Sequence, residues 1–322
     1  MSLSEAEAEA LFGRMLDGAM ADADIAATLV AMTERGEAAA EIAGAARAMR
    51  ARMVAIPAPD GAIDVCGTGG DGQHSLNVST AVALVAAAGG VPVAKHGNRA
   101  ASSKAGGADT LEALGLDLDR AAKTAEKTLE SLGICFLFAG AHHPAMARIM
   151  PIRRAIGRRT IFNLMGPLAN PARVRRQLVG IARPAYVPIY ADAIRALGTD
   201  ATWVVCGDEG LDELSIAGGN ELAEVTGEAV RMTRAHPADA GLATMPLSAI
   251  VGGDAGYNAA ALRRLLEGER GAYRDAVLFN TAAALCVAGK ATDWGEGVSL
   301  AAEAIDSGRA HALLARWIEI AA

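Results

Sequence analysis

The chain has 322 residues, 52% of them hydrophobic, which is enough for a sizeable core and about two domains. Its formal net charge of −7 gives it no general attraction to nucleic acid or to an anionic membrane surface, so an anionic ligand must meet a local basic patch. Met1–Ala10 carries three Glu and no Lys or Arg, and the long uncharged stretch that includes Val78–Ala94 is broken by Gly89, Gly90 and Pro92; neither a secretory leader nor a membrane span is expected.

Along the chain, the first sixty or so residues read as helical. Ser4-Glu5-Ala6-Glu7 has the pattern of a capping box, and Leu11, Met15, Ile25, Leu29 and Met32 follow at helical spacing. A third helix is expected over 37–53, ended by Pro57-Ala58-Pro59-Asp60-Gly61. After Gly61 short apolar runs alternate with helical patterns: Ala62–Cys66, Val91–Ala94, Ile134–Phe138, Leu178–Ile181 and Ala201–Cys206. This alternation predicts an α/β fold with a central, mostly parallel sheet, whose ligand site lies where loops leave the carboxyl ends of the strands. Residues 221–231 alternate like antiparallel edge strands, and from Asn258 onward the pattern is helical, broken at Asp306-Ser307-Gly308. Cys66, Cys135, Cys206 and Cys286 show no paired spacing and read as reduced, mostly buried thiols of a cytoplasmic protein.

The first strand runs into Gly67-Thr68-Gly69-Gly70-Asp71-Gly72, and Asn77-Val78-Ser79-Thr80 opens the next helix. Glycines let backbone amides approach a phosphate, and a helix N-terminus adds partial positive charge. A tight turn with an ordinary cap would explain the glycines but not the three polar donors. Residues 67–72 also fit the dinucleotide fingerprint, yet the second strand ends in Lys95-His96, where that fold wants an acid for the ribose hydroxyls. No Gly-Lys-Ser/Thr of an ordinary P-loop is present.

The second strand delivers Lys95-His96-Gly97-Asn98-Arg99 and then Ser102-Ser103-Lys104-Ala105-Gly106-Gly107. Lys95, Arg99 and Lys104 concentrate positive charge beside the glycine loop, as a polyanion site requires. After the strand at 201–206 come Asp212 and Glu213, adjacent carboxylates suited to Mg²⁺, which prefers one or two carboxylates together with water and substrate phosphates. His142-His143 precedes Arg153, Arg154, Arg158 and Arg159. Adjacent histidines point apart and do not chelate one metal, whereas one of the guanidinium groups is a natural partner for a carboxylate, with Pro167 as an apolar wall.

These motifs, in this order and spacing, resemble the anthranilate phosphoribosyltransferases over nearly the whole chain, most specifically at Gly67–Asp71, Asn77–Thr80, Lys95–Arg99, Phe162–Pro171 and Gly210–Ser215. The resemblance implies a class III phosphoribosyltransferase (nucleoside phosphorylase-like) fold. A small helical unit (1–60 with roughly 162–180), through which the family dimerises, would stand beside a larger α/β unit (61–161 and 181–322). It implies that Gly67, Thr68, Gly69, Gly70, Asp71, Asn77, Ser79, Thr80, Lys95 and Gly107 contact phosphoribosyl pyrophosphate. Gly67, His96, Asn98, His143, Arg153 and Pro167 would line the anthranilate path, and Ser79, Asp212 and Glu213 would hold Mg²⁺. Lys95, His96 and Asn98 would act electrostatically, with no side chain assigned as acid or base. Ala105 and Gly107, where the family often has Ser, and Ala139-Gly140-Ala141 depart from its pattern. A pyrimidine-nucleoside phosphorylase shares the fold but is expected to show Lys-His-Gly-Gly, where this chain has Asn98. A non-catalytic nucleic-acid-binding relative fits neither the negative charge nor the retained Asp212 and Glu213.

Overall fold

The computed structural model describes residues 2–100 and 104–321; the expected donors Ser102 and Ser103 lie outside the described residues. Three helices come first, α1 (Glu5–Leu16), α2 (Asp22–Arg35) and α3 (Ala39–Arg50). The Ser4 hydroxyl accepts from the Glu7 amide at 3.4 Å and the Glu7 carboxylate accepts from the Ser4 amide at 2.8 Å, so the capping box forms as its spacing predicts. Gly44 lets α3 lie directly on α1, since a Cβ there would stand 2.7 Å from Ala8 Cβ.

The remainder alternates strand and helix. In chain order it comprises β1 (Ile63–Gly67), α4 (Val78–Ala88), β2 (Val93–Gly97), α5 (Gly107–Leu114), α6 (Leu118–Lys123), α7 (Ala125–Leu132), β3 (Ile134–Phe138), α8 (Ala139–His142) and α9 (Met146–Ile156). Then follow β4 (Arg176–Gly180), α10 (Val187–Leu197), β5 (Ala201–Gly207), β6 (Asn220–Thr226), β7 (Ala229–Ala235), α11 (Ala255–Leu266), α12 (Ala272–Ala288), α13 (Trp294–Asp306) and α14 (Arg309–Ala321). The strands form one sheet of order β3-β2-β1-β4-β5-β6-β7. The first five are parallel, while β6 and β7 run antiparallel and close the edge with a tight turn at Gly227.

The side-chain period of two sends Ile63, Val65, Val93 and Leu178 into one core, with α4, α12, α13 and α14. Val179, Val204 and Ala223 point the other way, into a core shared with α1–α3, α9, α10 and the short turns at Ile161–Leu164 and Pro167–Ala169. Within the stretch 162–180, expected to join the helical unit, Arg176–Gly180 is instead β4, at the centre of the sheet. The connections step outward from β1 through β2 to β3 on one side and from β4 to β5 on the other. The crevice between the carboxyl ends of β1 and β4 is therefore a topological switch point, where open α/β sheets bind ligands.

Candidate active site

The glycine-rich loop leaves β1 at this crevice, and the Thr68 amide donates to the Gly180 carbonyl of β4 at 2.9 Å. Gly69 and Gly70 hold φ of 69° and 76°, the left-handed region that keeps their amides turned into the crevice. The loop after β5 brings Asp212 and Glu213 onto those amides. Gly69 N–H donates to Asp212 Oδ2 at 2.6 Å, and Ser79 N–H, in the first turn of α4, donates to Glu213 Oε1 at 2.9 Å. Gly67 and Gly180 lack side chains for a steric reason. A Cβ on Gly67 would lie 2.8 Å from Asp212 Cγ, and one on Gly180 would collide with the Asp212 carbonyl oxygen. Asn280 of α12 grips the next residue from behind, accepting from Leu214 N–H at 2.9 Å and donating to Leu214 O at 2.8 Å.

Burial, and then the neighbouring Asp71, push the Asp212 carboxyl up to about 7; burial, and then Asp212, push Glu213 well above the carboxylate range. Glu213 Oε2 is buried without a hydrogen-bond partner. Such a pair calls for a cation. Among the described residues no three acidic, histidine or cysteine side chains converge into a ready-made metal cage.

Lys95, 3% exposed, passes between β1 and α4: its ammonium donates to Val65 O at 2.8 Å and Ser79 Oγ at 3.2 Å. Burial lowers its pKa, offset in part by Asp64, an acid wholly buried under the site. Asp64 accepts from the His96 amide at 3.0 Å and from Asn170 Nδ2 at 2.8 Å, so one carboxylate ties β1 to β2 and to the segment after Pro167. Thr80 and Gly107 face each other, with Thr80 Oγ1 3.1 Å from where a Gly107 Cβ would stand; that hydroxyl is buried and unpartnered. The Asn77 amide is already committed to structure. It donates to Ala105 O at 3.3 Å and accepts from Thr110 and Asn258, which fastens the start of α4 to the loop before α5.

Toward the helical side, His96 Nδ1 lies 2.8 Å from Gly166 O and His96 Nε2 lies 3.2 Å from His143 Nε2. A carbonyl can only accept, so His96 carries its proton on Nδ1, and its Nε2 faces His143 Nε2. Burial lowers both imidazoles to about 4, so both are neutral at physiological pH. The backbone carbonyl of the buried Pro167 accepts from Gln177, which fixes the turn above His96. Arg153 touches Asn163 Oδ1 at 3.3 Å and lies over the Phe162 ring, and it has no carboxylate in a salt bridge among the described residues. Asn98 is exposed at the mouth, its Oδ1 accepting from the Arg99 amide at 2.8 Å.

The structure thus gathers Gly67–Asp71, Ser79, Thr80, Lys95, Gly107, Asp212 and Glu213 at one crevice, with His96, His143 and Pro167 beside it. Arg99, expected in the anion patch, is instead bound by Asp109 and Glu112 and stacked on Phe138. The sequence assigns no role to Asp64, Asn170 or Asn280, which the structure places under the site. A lone acid inside the apolar run at 62–66 was the one available signal, since an unpaired charge in a buried strand is costly.

Residues 59–311 match the model of the glycosyl transferase family a/b domain, and residues 1–53 match that family's helical bundle domain. The anthranilate phosphoribosyltransferase of Novosphingobium aromaticivorans is 73% identical over 316 residues, covering 98% of this chain and 96% of that one. The chain belongs to the anthranilate phosphoribosyltransferase family. The enzyme of that name from Sphingopyxis alaskensis is 69% identical, covering 98% of this chain and 95% of its own. Among solved structures, the anthranilate phosphoribosyltransferase of Thermus thermophilus superposes with a TM-score of 0.94 at 44% identity, covering 99% and 96% of the two chains. That of Saccharomyces cerevisiae in complex with PRPP and Mg superposes at 0.90 with 28% identity, covering 99% and 93%.

Proposed function

We infer that the protein transfers the phosphoribosyl group of phosphoribosyl pyrophosphate to the amino group of anthranilate, releasing pyrophosphate, a step of tryptophan biosynthesis. The observation that carries this reading is the meeting of glycine-loop amides, the α4 N-terminus, Lys95 and a buried acid pair at the β1/β4 switch point. The anthranilate nitrogen forms a bond to the ribose anomeric carbon while the bond to pyrophosphate breaks; the electron pair leaves with the diphosphate, and the nitrogen gives up one proton to solvent. Loop amides and Lys95 face that growing charge, where preorganised donors are most effective. Asp212 and Glu213, with Ser79 beside them, would hold Mg²⁺, which supplies further positive charge to the diphosphate. Arg153 would grip the anthranilate carboxylate, with Asn98, His96, His143 and Pro167 along its path. The aromatic amine is neutral at pH 7, so positioning outweighs proton abstraction and no side chain is given the role of base. We further propose that the helical unit carries a homodimer contact, as the family resemblance implies.

Loss of anthranilate fluorescence on adding phosphoribosyl pyrophosphate and Mg²⁺ tests the reaction. Unchanged fluorescence alongside phosphorolysis of thymidine or uridine would transfer the protein to the nucleoside phosphorylases. Arg153→Ala is expected to raise the KM for anthranilate by about 10- to 100-fold, the worth of a charged hydrogen bond, while the KM for phosphoribosyl pyrophosphate stays within about twofold. Equal rises in both would remove the carboxylate role.

A further inference from the structure

Arg159 stands between α9 and the Ile161–Leu164 turn, on the helical side of the crevice, and reaches toward the glycine loop. Its Nη1 lies 3.8 Å from where a Cβ on Gly70 would be. Two other arginines of this region have acidic partners: Arg158 pairs with Glu34 at 2.8 Å and Arg148 with Asp22 at 3.0 Å. Arg159 differs. It is half-buried, and among the described residues its guanidinium enters no salt bridge. The nearest acid on the helical side, Glu37, is already taken by Tyr186 Oη and the Thr33 hydroxyl.

A second arginine shares the spot. Arg183 comes off the carboxyl end of β4, stacks on Tyr186, and lines the same small hollow as Arg159, Thr33 and Glu37. Burial, and then Arg183, make the charged form of Arg159 less favourable than in water. Two guanidinium groups share this hollow with a single carboxylate, Glu37, whose oxygens are bonded to Tyr186 and Thr33, so an anion between or beside the two cations would be favourable. Across the crevice, Arg159 faces the bend of the loop whose amides point at the diphosphate site.

We propose that Arg159, backed by Arg183, is a further substrate-binding residue, meeting the diphosphate of phosphoribosyl pyrophosphate from the helical side of the crevice. The proposal rests on the reading above. When the bond from the anomeric carbon to the diphosphate oxygen breaks, its electrons pass to that oxygen, and a planar guanidinium can meet the charge with two parallel donors. The helical side of the molecule then contributes to both substrates: Arg153 to the acceptor and Arg159 to the leaving group.

The test uses the whole enzyme with Mg²⁺ and inorganic pyrophosphate as the probe, read by calorimetry and by product inhibition. Arg159→Gln is expected to weaken pyrophosphate binding and raise the KM for phosphoribosyl pyrophosphate by about tenfold or more, with the anthranilate KM within about twofold. Arg159→Lys keeps the charge but loses the fork and should fall between, near threefold; Arg183→Gln should be similar. Arg158→Gln, whose side chain faces Glu34, should leave all constants unchanged. Unaltered pyrophosphate binding in folded Arg159→Gln overturns the proposal. Should that variant fail to fold, unaltered binding in both Arg159→Lys and Arg183→Gln overturns it equally. A wild-type enzyme that ignores pyrophosphate altogether would instead sink the reading of the site itself.

Discussion

Asp212 shows how much of the site one residue controls. Its carboxylate accepts from the Gly69 amide, its main chain presses on β4 at Gly180, and its charge is raised in energy by burial and by Asp71. Substitution by Ala removes charge without adding bulk, so the fold should survive while the loop amides lose their acceptor. Asp212→Ala and Glu213→Ala are each expected to lower kcat/KM by roughly 100-fold or more, the scale of losing one well-placed electrostatic group. The Mg²⁺ concentration for half-maximal rate should also rise. A variant pair with wild-type Mg²⁺ dependence would place the metal elsewhere. Asp64 is a different kind of acid: it touches Asn170 Nδ2 and the His96 amide, and acts by holding the floor in register.

Among the elements, β1 and β4 carry the tightest constraint. Their parallel pairing sets Gly67 opposite Gly180, and the Asp212 turn lies on both. Gly180→Ala would drive a methyl into the Asp212 carbonyl, so the turn must move away from the loop. A displacement of about 1 Å at a catalytic group costs on the order of 100-fold in rate, while overpacking costs about 1–3 kcal/mol of stability. The expected outcome is a folded protein with kcat lowered about 100-fold; unchanged turnover would mean that the turn position is not critical. This constraint was hidden in the sequence, where Gly180 is one glycine at the end of an apolar run. The strands themselves were legible, because five apolar runs of strand length between helical patterns leave few other arrangements. The glycine loop and the acid pair were legible because each follows a strand, and Lys95 because it is a cation close to a strand's carboxyl end. Contacts between elements distant in sequence left no periodic trace: Asn280 on Leu214, Asp64 with Asn170, and the capture of Arg99 by Glu112.

At the scale of the whole molecule, the site sets how stability answers to pH. His96 and His143 titrate at about 4 in the folded chain, against about 6.5 unfolded, so their contribution is complete above pH 6.5 and is lost as pH falls toward 4. The acid pair works in the opposite sense. Asp212 is raised to about 7 and Glu213 well above its ordinary value, so stability associated with them is present at low pH and is lost as pH rises through their folded values. Below pH 6.5 the two tendencies oppose each other; above it only the acids still act. Without Mg²⁺ the chain should therefore lose stability from about pH 6.5 to about pH 8, by up to about 1.4 kcal/mol per unit for each acid still protonated, the Asp212 share ending near its folded value of about 7. A cation bound between the carboxylates stabilises their charged forms, so Mg²⁺ should raise the urea midpoint more at the upper pH than at the lower. Asp212→Asn with Glu213→Gln should flatten the profile and abolish the Mg²⁺ effect together. A decline that persists in that double variant, or an Mg²⁺ gain equal at both pH values, would mean that the buried pair is not what the metal neutralises.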